Sequence, residues 1–321
     1  MKIKNLVSVL LVCGSFFQSC TPKESDEDVA VRYATKAEAE ALIAGVDDFS
    51  EHLNQFDLDV RLQKSGATKA EWEELVTGET LEWNEAEVER MDMAFDTLLA
   101  NIDKLQLDIP FPEDIVMLKT SMKEELGAGG YTRNNWIAIG ENELDKATDA
   151  QLAQLLGHEL FHVLSRYDAD FKKKVYQIFG FESTGREFIF AQDANEKRIT
   201  NPDISQRDSY IPLTVDGQVR NCVEFIYADH AYEGGNIFDC LRVGFIPLDE
   251  QMQPVVSDSG TVIYPIGKVA EEFQSKIGRN TGYVIDPEEI SAEHFSFLVT
   301  CKKGLPNPEY IEKMKNALNK K

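Results

Sequence analysis

Two histidines and a glutamate lie close together in the segment Gly157-His158-Glu159-Leu160-Phe161-His162. Residues four apart on a helix project from one face, so both imidazoles can reach one metal ion. Zinc binds imidazole nitrogen at about 2.0–2.1 Å and lowers the pKa of a bound water toward about 7. The segment therefore predicts a Zn²⁺ site with His158 and His162 as ligands and Glu159 as the general base. The alternative is a buried helix with two core histidines, whose polar groups would need several hydrogen-bond partners.

The element that must hold this segment is a helix. Thr148 and Gln151 have the spacing of a capping box, which marks a helix start. Apolar side chains then recur at three-to-four spacing, as at Leu152, Leu156 and Leu160. We expect a largely buried helix that ends near Arg166.

A catalytic zinc site takes a third protein ligand and keeps one position open. Ser165 and Asp168 stand where the metzincin extension has Gly and His, which excludes that branch. The later segment Glu289-Ile290-Ser291-Ala292-Glu293-His294-Phe295 resembles the lethal-factor-type pattern of gluzincin metallopeptidases. This resemblance implies Glu289 as the third zinc ligand. Glu293, one turn later, can accept a hydrogen bond from a ligand histidine.

Glu289 also has a simpler interpretation. Asp286 is a good helix cap and Pro287 suits the first helical position, so Glu289 can be the glutamate of a capping box. In that case another residue must supply the third ligand. The candidates are Glu182, Glu187, Glu196, Asp203 and His230.

The resemblance implies two further site features. Zincins commonly place an edge strand just before the site helix, where it pairs with an extended peptide. The strand Trp136-Ile137-Ala138-Ile139 fills that slot, although it can also be an ordinary core strand. Zincins also use a Tyr or His to stabilise the oxyanion, which makes Tyr283 our candidate, with Tyr131 and Tyr264 as rivals.

The N-terminus has the features of an export signal. A basic start and the apolar stretch Leu6–Phe17 precede Cys20, and acidic residues follow. The arrangement resembles the lipobox of Bacteroidetes-type lipoproteins, although Phe17 and Gln18 depart from the usual motif. It implies cleavage before Cys20 and lipidation of its thiol, hence an outer-membrane lipoprotein facing the periplasm or the cell exterior. The alternative is an ordinary cleaved signal with an incidental cysteine.

Composition narrows the classes of partner. The 321 residues include 33 Lys and Arg against 56 Asp and Glu, a net charge of −23, which argues against nucleic acid. After the N-terminal stretch, the sequence contains no apolar run of about 18 or more residues. This excludes a membrane protein with several spanning helices. Beyond Cys20, the cysteines are Cys222, Cys240 and Cys301; whether Cys222 and Cys240 pair is open.

We expect an α+β protein with a zincin-like core, a helical N-terminal part and a β-rich insertion between the two site helices. The predicted organisation is a signal peptide (residues 1–19), a tether (20–34), a helical region (35–108) and a catalytic domain (109–321) with its insertion at about 205–268. The predicted function is a zinc-dependent metallohydrolase, foremost a peptidase acting on a peptide or protein. The alternative is a catalytically silent surface binding or scaffold lipoprotein whose metal is structural or absent.

Overall fold

The computed structural model describes residues 29–320, so the predicted signal peptide, Cys20 and most of the tether lie outside the described residues. The helices are α1 Lys36–Ile43, α2 Asp48–Glu51, α3 Gln55–Leu62, α4 Lys69–Gly78, α5 Glu85–Leu105, α6 Glu141–Lys146, α7 Asp149–Tyr167, α8 Ala169–Ile178, α9 Gln192–Asn195, α10 Ile237–Cys240, α11 Ala270–Ile277, α12 Pro287–Val299 and α13 Pro308–Leu318. The strands are β1 Ala30–Tyr33, β2 Thr80–Leu81, β3 Asp114–Thr120, β4 Gly130–Arg133, β5 Trp136–Gly140, β6 Glu182–Ser183, β7 Ser209–Val215, β8 Gln218–Ala228, β9 Leu241–Pro247, β10 Val256–Ser257, β11 Gly260–Thr261 and β12 Tyr264–Pro265. The predicted α+β class is confirmed.

The first sheet has the strand order β1-β3-β5-β4, and β2 pairs with the end of β3. Strands β1, β3 and β5 are parallel, whereas β4 runs antiparallel to β5. Ile137 and Ile139 of β5 enter the main core with α5, α7 and α12. Trp136 and Ala138 face the opposite way, into a core with α1 and α4. The sheet is therefore the middle of three layers.

The predicted edge strand is wrong, because Trp136-Ile137-Ala138-Ile139 lies inside the sheet, between β3 and β4. Every residue of β5 is buried, since the strand is covered on both faces. The edge beside the site helix is formed instead by β4. Its Thr132 contacts Glu159 of α7 through a side-chain hydrogen bond of 2.8 Å.

The predicted tether is too long. Ala30–Tyr33 form β1, and the buried Val31 pairs with Ile115 of β3. A strand of four residues is too short for a clear hydrophobic period, so the sequence pattern did not reveal it. The domain boundary expected after residue 108 stays a prediction, although α5 packs in the same core as α7 and α12.

The second sheet is antiparallel, with the order β12-β9-β8-β7-β6, and lies between α8 and α12 in the chain. Ile211, Leu213 and Phe245 join this sheet to the main core. Cys222, Cys240 and Cys301 are free cysteines, so Cys222 and Cys240 do not pair. None of the helices within residues 29–320 combines the length and apolar character needed to cross a bilayer.

Helices α7 and α12 pack closely, and Gly157 makes this approach possible. A Cβ atom at Gly157 would lie 3.0 Å from Val299 Cγ2 and 3.4 Å from Ser296 Cα. The start of α7 is the predicted capping box, in which Thr148 and Gln151 bond each other's backbone N–H. The start of α7 and its packing against α12 are thus both set by residues outside the segment from His158 to His162.

Gly157→Val is expected to lower the free energy of unfolding by about 1–3 kcal/mol, because the added side chain forces α7 and α12 apart. Urea unfolding followed by circular dichroism measures the change. The control is Gly78→Val at the end of α4, where an added Cβ atom would project into open space. Equal stability of the two variants would contradict the close packing at Gly157.

Candidate metal centre

Three predicted ligands converge between α7 and α12. His158 Nε2 lies 3.1 Å from Glu289 Oε2, and His162 Nε2 lies 3.7 Å from the same oxygen. Two ligand atoms held tetrahedrally at about 2.0–2.1 Å from a zinc ion are about 3.3 Å apart. The observed distances lie on either side of that value. His158, His162 and Glu289 therefore form a group that could hold a metal ion.

A buried polar atom without a partner shows whether a cation fits between these residues. Within residues 29–320, His162 Nε2 is fully buried and has no hydrogen-bond partner. A buried nitrogen without a partner is costly, and a metal ion at this point would satisfy it. The residues present thus fit a metal ion better than a pair of core histidines.

The other nitrogen of each imidazole faces a carboxylate. His158 Nδ1 lies 3.3 Å from Glu293 Oε1, and His162 Nδ1 lies 3.0 Å from Glu288 Oε1. Glu288 also accepts hydrogen bonds from the hydroxyls of Ser165 and Tyr176. Carboxylates in this position fix the imidazole tautomer so that Nε2 is free to bind a metal.

The capping interpretation of Glu289 does not hold. The helix cap is Asp286, whose Oδ1 accepts a hydrogen bond of 3.0 Å from the backbone N–H of Glu288. The carboxylate of Glu289 instead contacts His158 and accepts a 2.6 Å hydrogen bond from Asn201 Nδ2. Burial opposes its ionisation, but these contacts and His162 hold the pKa of Glu289 below its usual value.

Glu159 lies beside the three ligands rather than among them. Its Oε2 accepts a 2.8 Å hydrogen bond from the hydroxyl of Thr132. Its Oε1 faces β4, where a Cβ atom at Gly130 would lie only 3.0 Å away. Burial raises the pKa of Glu159, and the neighbouring His158 and His162 only partly offset this effect. A carboxylate whose pKa is raised from the usual range is suited to take up and release a proton.

Asp203, one of the alternative ligands, lies at the border of the centre. One of its carboxylate oxygens is within 4.8 Å of ligand atoms of Glu159 and His162. Burial raises the pKa of Asp203 well above its usual value, and the charges of Glu159 and Glu289 add to this. The carboxylates are therefore crowded, and a cation in the centre would relieve their repulsion.

The other alternative ligands contact different partners. Glu182 accepts a hydrogen bond from Gln177, Glu196 accepts one from Gln192, and His230 pairs with Asp229. Glu187 belongs to a more exposed group with Asp48 and His52, in which His52 Nδ1 is bonded to the backbone carbonyl of Asp48. Among the residues that the structure describes, these four do not join the group at His158.

The tyrosines proposed for oxyanion stabilisation differ in position. The Tyr283 ring centroid is 6.3 Å from that of His158, and the residue is 40% exposed. The Tyr131 hydroxyl donates to Glu124, and the Tyr264 hydroxyl donates to Asp216. Of these three tyrosines, Tyr283 is the one whose ring lies beside a ligand histidine, at an interplanar angle of 37°.

The centre opens into a cleft of about 1080 Å³. His158, Glu159, Gly130 and Tyr283 line it on the metal side. The rest of the wall is largely apolar and includes Val60, Ile199, Ile226, Ile237 and Leu241. The three-ligand group therefore faces the cleft through His158 and Glu289.

Comparison of the chain with protein-family models, curated proteins and solved structures gave no match. The assignment of the centre therefore rests on its own geometry.

Three residues of the centre were not predicted from the sequence: Thr132, Asn201 and Glu288. Glu288 had a detectable signal, because two adjacent acids at the start of a buried helix both need partners. Thr132 and Asn201 gave none, since their roles arise only from the three-dimensional contacts.

Glu288→Gln is expected to weaken Zn²⁺ binding by about 10- to 100-fold, because it removes the charge that orients His162. Titration calorimetry with Zn²⁺ measures the affinity. The matched control is Glu312→Gln on α13, which changes an exposed glutamate away from the centre. Unchanged affinity in a folded Glu288→Gln protein would show that the centre does not depend on this carboxylate.

Proposed function

We propose that this chain is a zinc-dependent metallohydrolase with a zincin-like core, and that its substrate is a peptide or protein. The observation that carries the proposal is the convergence of His158, His162 and Glu289 beside Glu159, at the wall of a large cleft. Two imidazoles and one carboxylate are a typical donor set for catalytic zinc. Three protein ligands leave one tetrahedral position for water or substrate.

The proposed reaction is hydrolysis of an amide bond. Zinc bound here would supply a Lewis acid that lowers the pKa of a water molecule toward about 7 and polarises the substrate carbonyl. Glu159 Oε1 accepts a proton from the attacking water, while the hydrogen bond from Thr132 fixes its other oxygen. Glu159 then delivers this proton to the leaving amine nitrogen. The Tyr283 hydroxyl donates a hydrogen bond to the oxygen that becomes negative.

A peptide substrate is favoured by the strand that borders the cleft. β4 is an edge strand next to α7, and edge strands bind extended chains through their backbone groups. Gly130, which lines the cleft, has no side chain to keep a substrate backbone from Glu159. These two features suit an extended peptide better than a compact small molecule.

The proposal includes the cellular setting. Export and lipidation at Cys20 would place the protein at the outer membrane, in the periplasm or on the cell surface. Acyl chains at this residue would hold it to the membrane without a spanning helix. The negative charge of the chain, −23, disfavours nucleic acid as a partner.

Glu159→Gln is expected to keep zinc and to lose hydrolysis by a factor of about 10²–10⁴, because the variant cannot accept a proton. The zinc content of the purified protein and the digestion of casein, followed by mass spectrometry, give the two readouts. Glu312→Gln is the control and should digest casein at the wild-type rate.

Undiminished digestion by Glu159→Gln would overturn the mechanism. Inactivity of the zinc-loaded wild-type protein on every peptide tested would favour a binding or scaffold role instead.

Tyr283→Phe is expected to lower kcat by about 10²–10³-fold with little change in KM, because the lost hydroxyl acts on the transition state. The same digestion, made quantitative with a cleaved peptide, measures both constants. Tyr264→Phe serves as a control, since that hydroxyl donates to Asp216. An equal loss in both variants would remove Tyr283 from the mechanism.

A further inference from the structure

The outer edge of β4 is closed at one end. The pairing with β5 turns the N–H and C=O groups of Gly130 and Thr132 away from β5. At Thr132 both groups have partners: the N–H donates to Asp203 Oδ1 at 2.6 Å, and the carbonyl accepts from Arg166 at 3.1 Å. Gly130 faces the cleft. A peptide that pairs with this edge at Gly130 therefore cannot continue past Thr132.

The segment that closes the edge, Thr200–Asp203, is firmly held. Its Thr200 carbonyl accepts a 2.9 Å hydrogen bond from the buried Arg61, which is also paired with Glu125. The Pro202 carbonyl accepts a 2.7 Å hydrogen bond from Arg166. Asn201 bonds the ligand Glu289 and, through its side-chain oxygen, the backbone of Asp203. The closed end is a fixed wall of the centre rather than a loop at its surface.

The wall presents a carboxylate to the substrate. Asp203 lines the cleft and is 9% exposed, and its Oδ1 is the atom bonded to Thr132. Glu159 lies within 4.8 Å of it. A chain end that meets this wall faces two acidic side chains, Asp203 and Glu159. The carboxylate of a peptide C-terminus would be repelled, whereas an α-ammonium group would form a charge-assisted hydrogen bond.

The distances leave room for one residue. Asp203 and His162 ligand atoms are within 4.8 Å, so a cation about 2 Å from His162 is at most about 7 Å from Asp203. An ammonium–carboxylate hydrogen bond takes about 2.8 Å of this, and a metal–carbonyl contact about 2 Å. The amine nitrogen and carbonyl oxygen of one residue are about 2.8 Å apart, so the three segments add up to about 7.6 Å and fit this span when the path bends slightly. A second residue would add about 3.5 Å.

We propose, on the basis of the proposed peptidase function, that the protein is an aminopeptidase in which Asp203 binds the α-ammonium group of the substrate. Water adds to the carbonyl carbon of the first residue and the C–N bond to the second residue breaks. The products are a free amino acid carboxylate and a peptide with a new amino terminus, whose nitrogen receives the proton from Glu159. Peptides with a blocked amino terminus are not substrates.

The test uses the full zinc-loaded protein and a synthetic pool of lysine-free, C-terminally amidated peptides with varied first residues. One half of the pool has free amino termini and the other half is N-acetylated. Mass spectrometry should show loss of one residue at a time from the free peptides, at least tenfold faster than any cleavage of the acetylated ones. Casein digestion is measured in parallel.

Asp203→Asn keeps an oxygen that can accept from Thr132 and removes only the charge. It should retain zinc, lower kcat/KM for free peptides by on the order of 10²-fold and reduce the discrimination against acetylated ones. Asp170→Asn, which changes an exposed carboxylate on α8, is the control and should behave as the wild type.

Four outcomes would overturn the inference. Equal cleavage of free and acetylated peptides, or internal cleavage of casein without loss of first residues, rejects the aminopeptidase while leaving the peptidase proposal intact. Loss of zinc from Asp203→Asn would make Asp203 a metal ligand instead. Inactivity on both pools and on casein would reject the peptidase proposal itself.

Discussion

The contact between α7 and α12 is the constraint on which the centre depends. Because Gly157 has no side chain, α7 can pack directly against Val299 and Ser296 of α12. At this separation the carboxylate of Glu289 reaches the imidazoles of His158 and His162. A larger side chain between the helices would separate the ligands even if each residue of the motif were retained.

The buried carboxyl groups of the centre differ in how well neighbouring positive charges stabilise their ionised form. Glu288 and Glu293 each face an imidazole. Burial opposes their ionisation, but the imidazole contacts together with neighbouring cations leave the pKa of both carboxyls below the usual value. At Glu159 and Asp203, burial outweighs the nearby positive charges, and the pKa of both is raised. Folding without a metal ion therefore leaves like charges close together in a medium of low dielectric constant. Metal binding and the stability of this region should be thermodynamically linked.

The sequence predicted those parts of the fold that have a local signature. The capping box of α7 and the helix from Pro287 follow from capping residues and hydrophobic period. The order of strands does not, because a run such as Trp136–Gly140 can be central or at an edge, and only its neighbours decide. The same limit applies to the site. The spacing of His158 and His162 is local, whereas the approach of Asn201 and Asp203 depends on contacts with α3 and α7.

The position of β1 has a mechanical consequence. β1 and β4 are at opposite edges of the first sheet, three strand spacings or about 14 Å apart. A force applied to the chain before Val29 thus acts first on the edge of the sheet that is farther from the cleft. The hydrogen bonds between the parallel strands β1 and β3 would resist such a force before it reached β4, the strand next to the metal ligands. The edge of the sheet that lines the cleft is therefore not the edge at which the described chain begins.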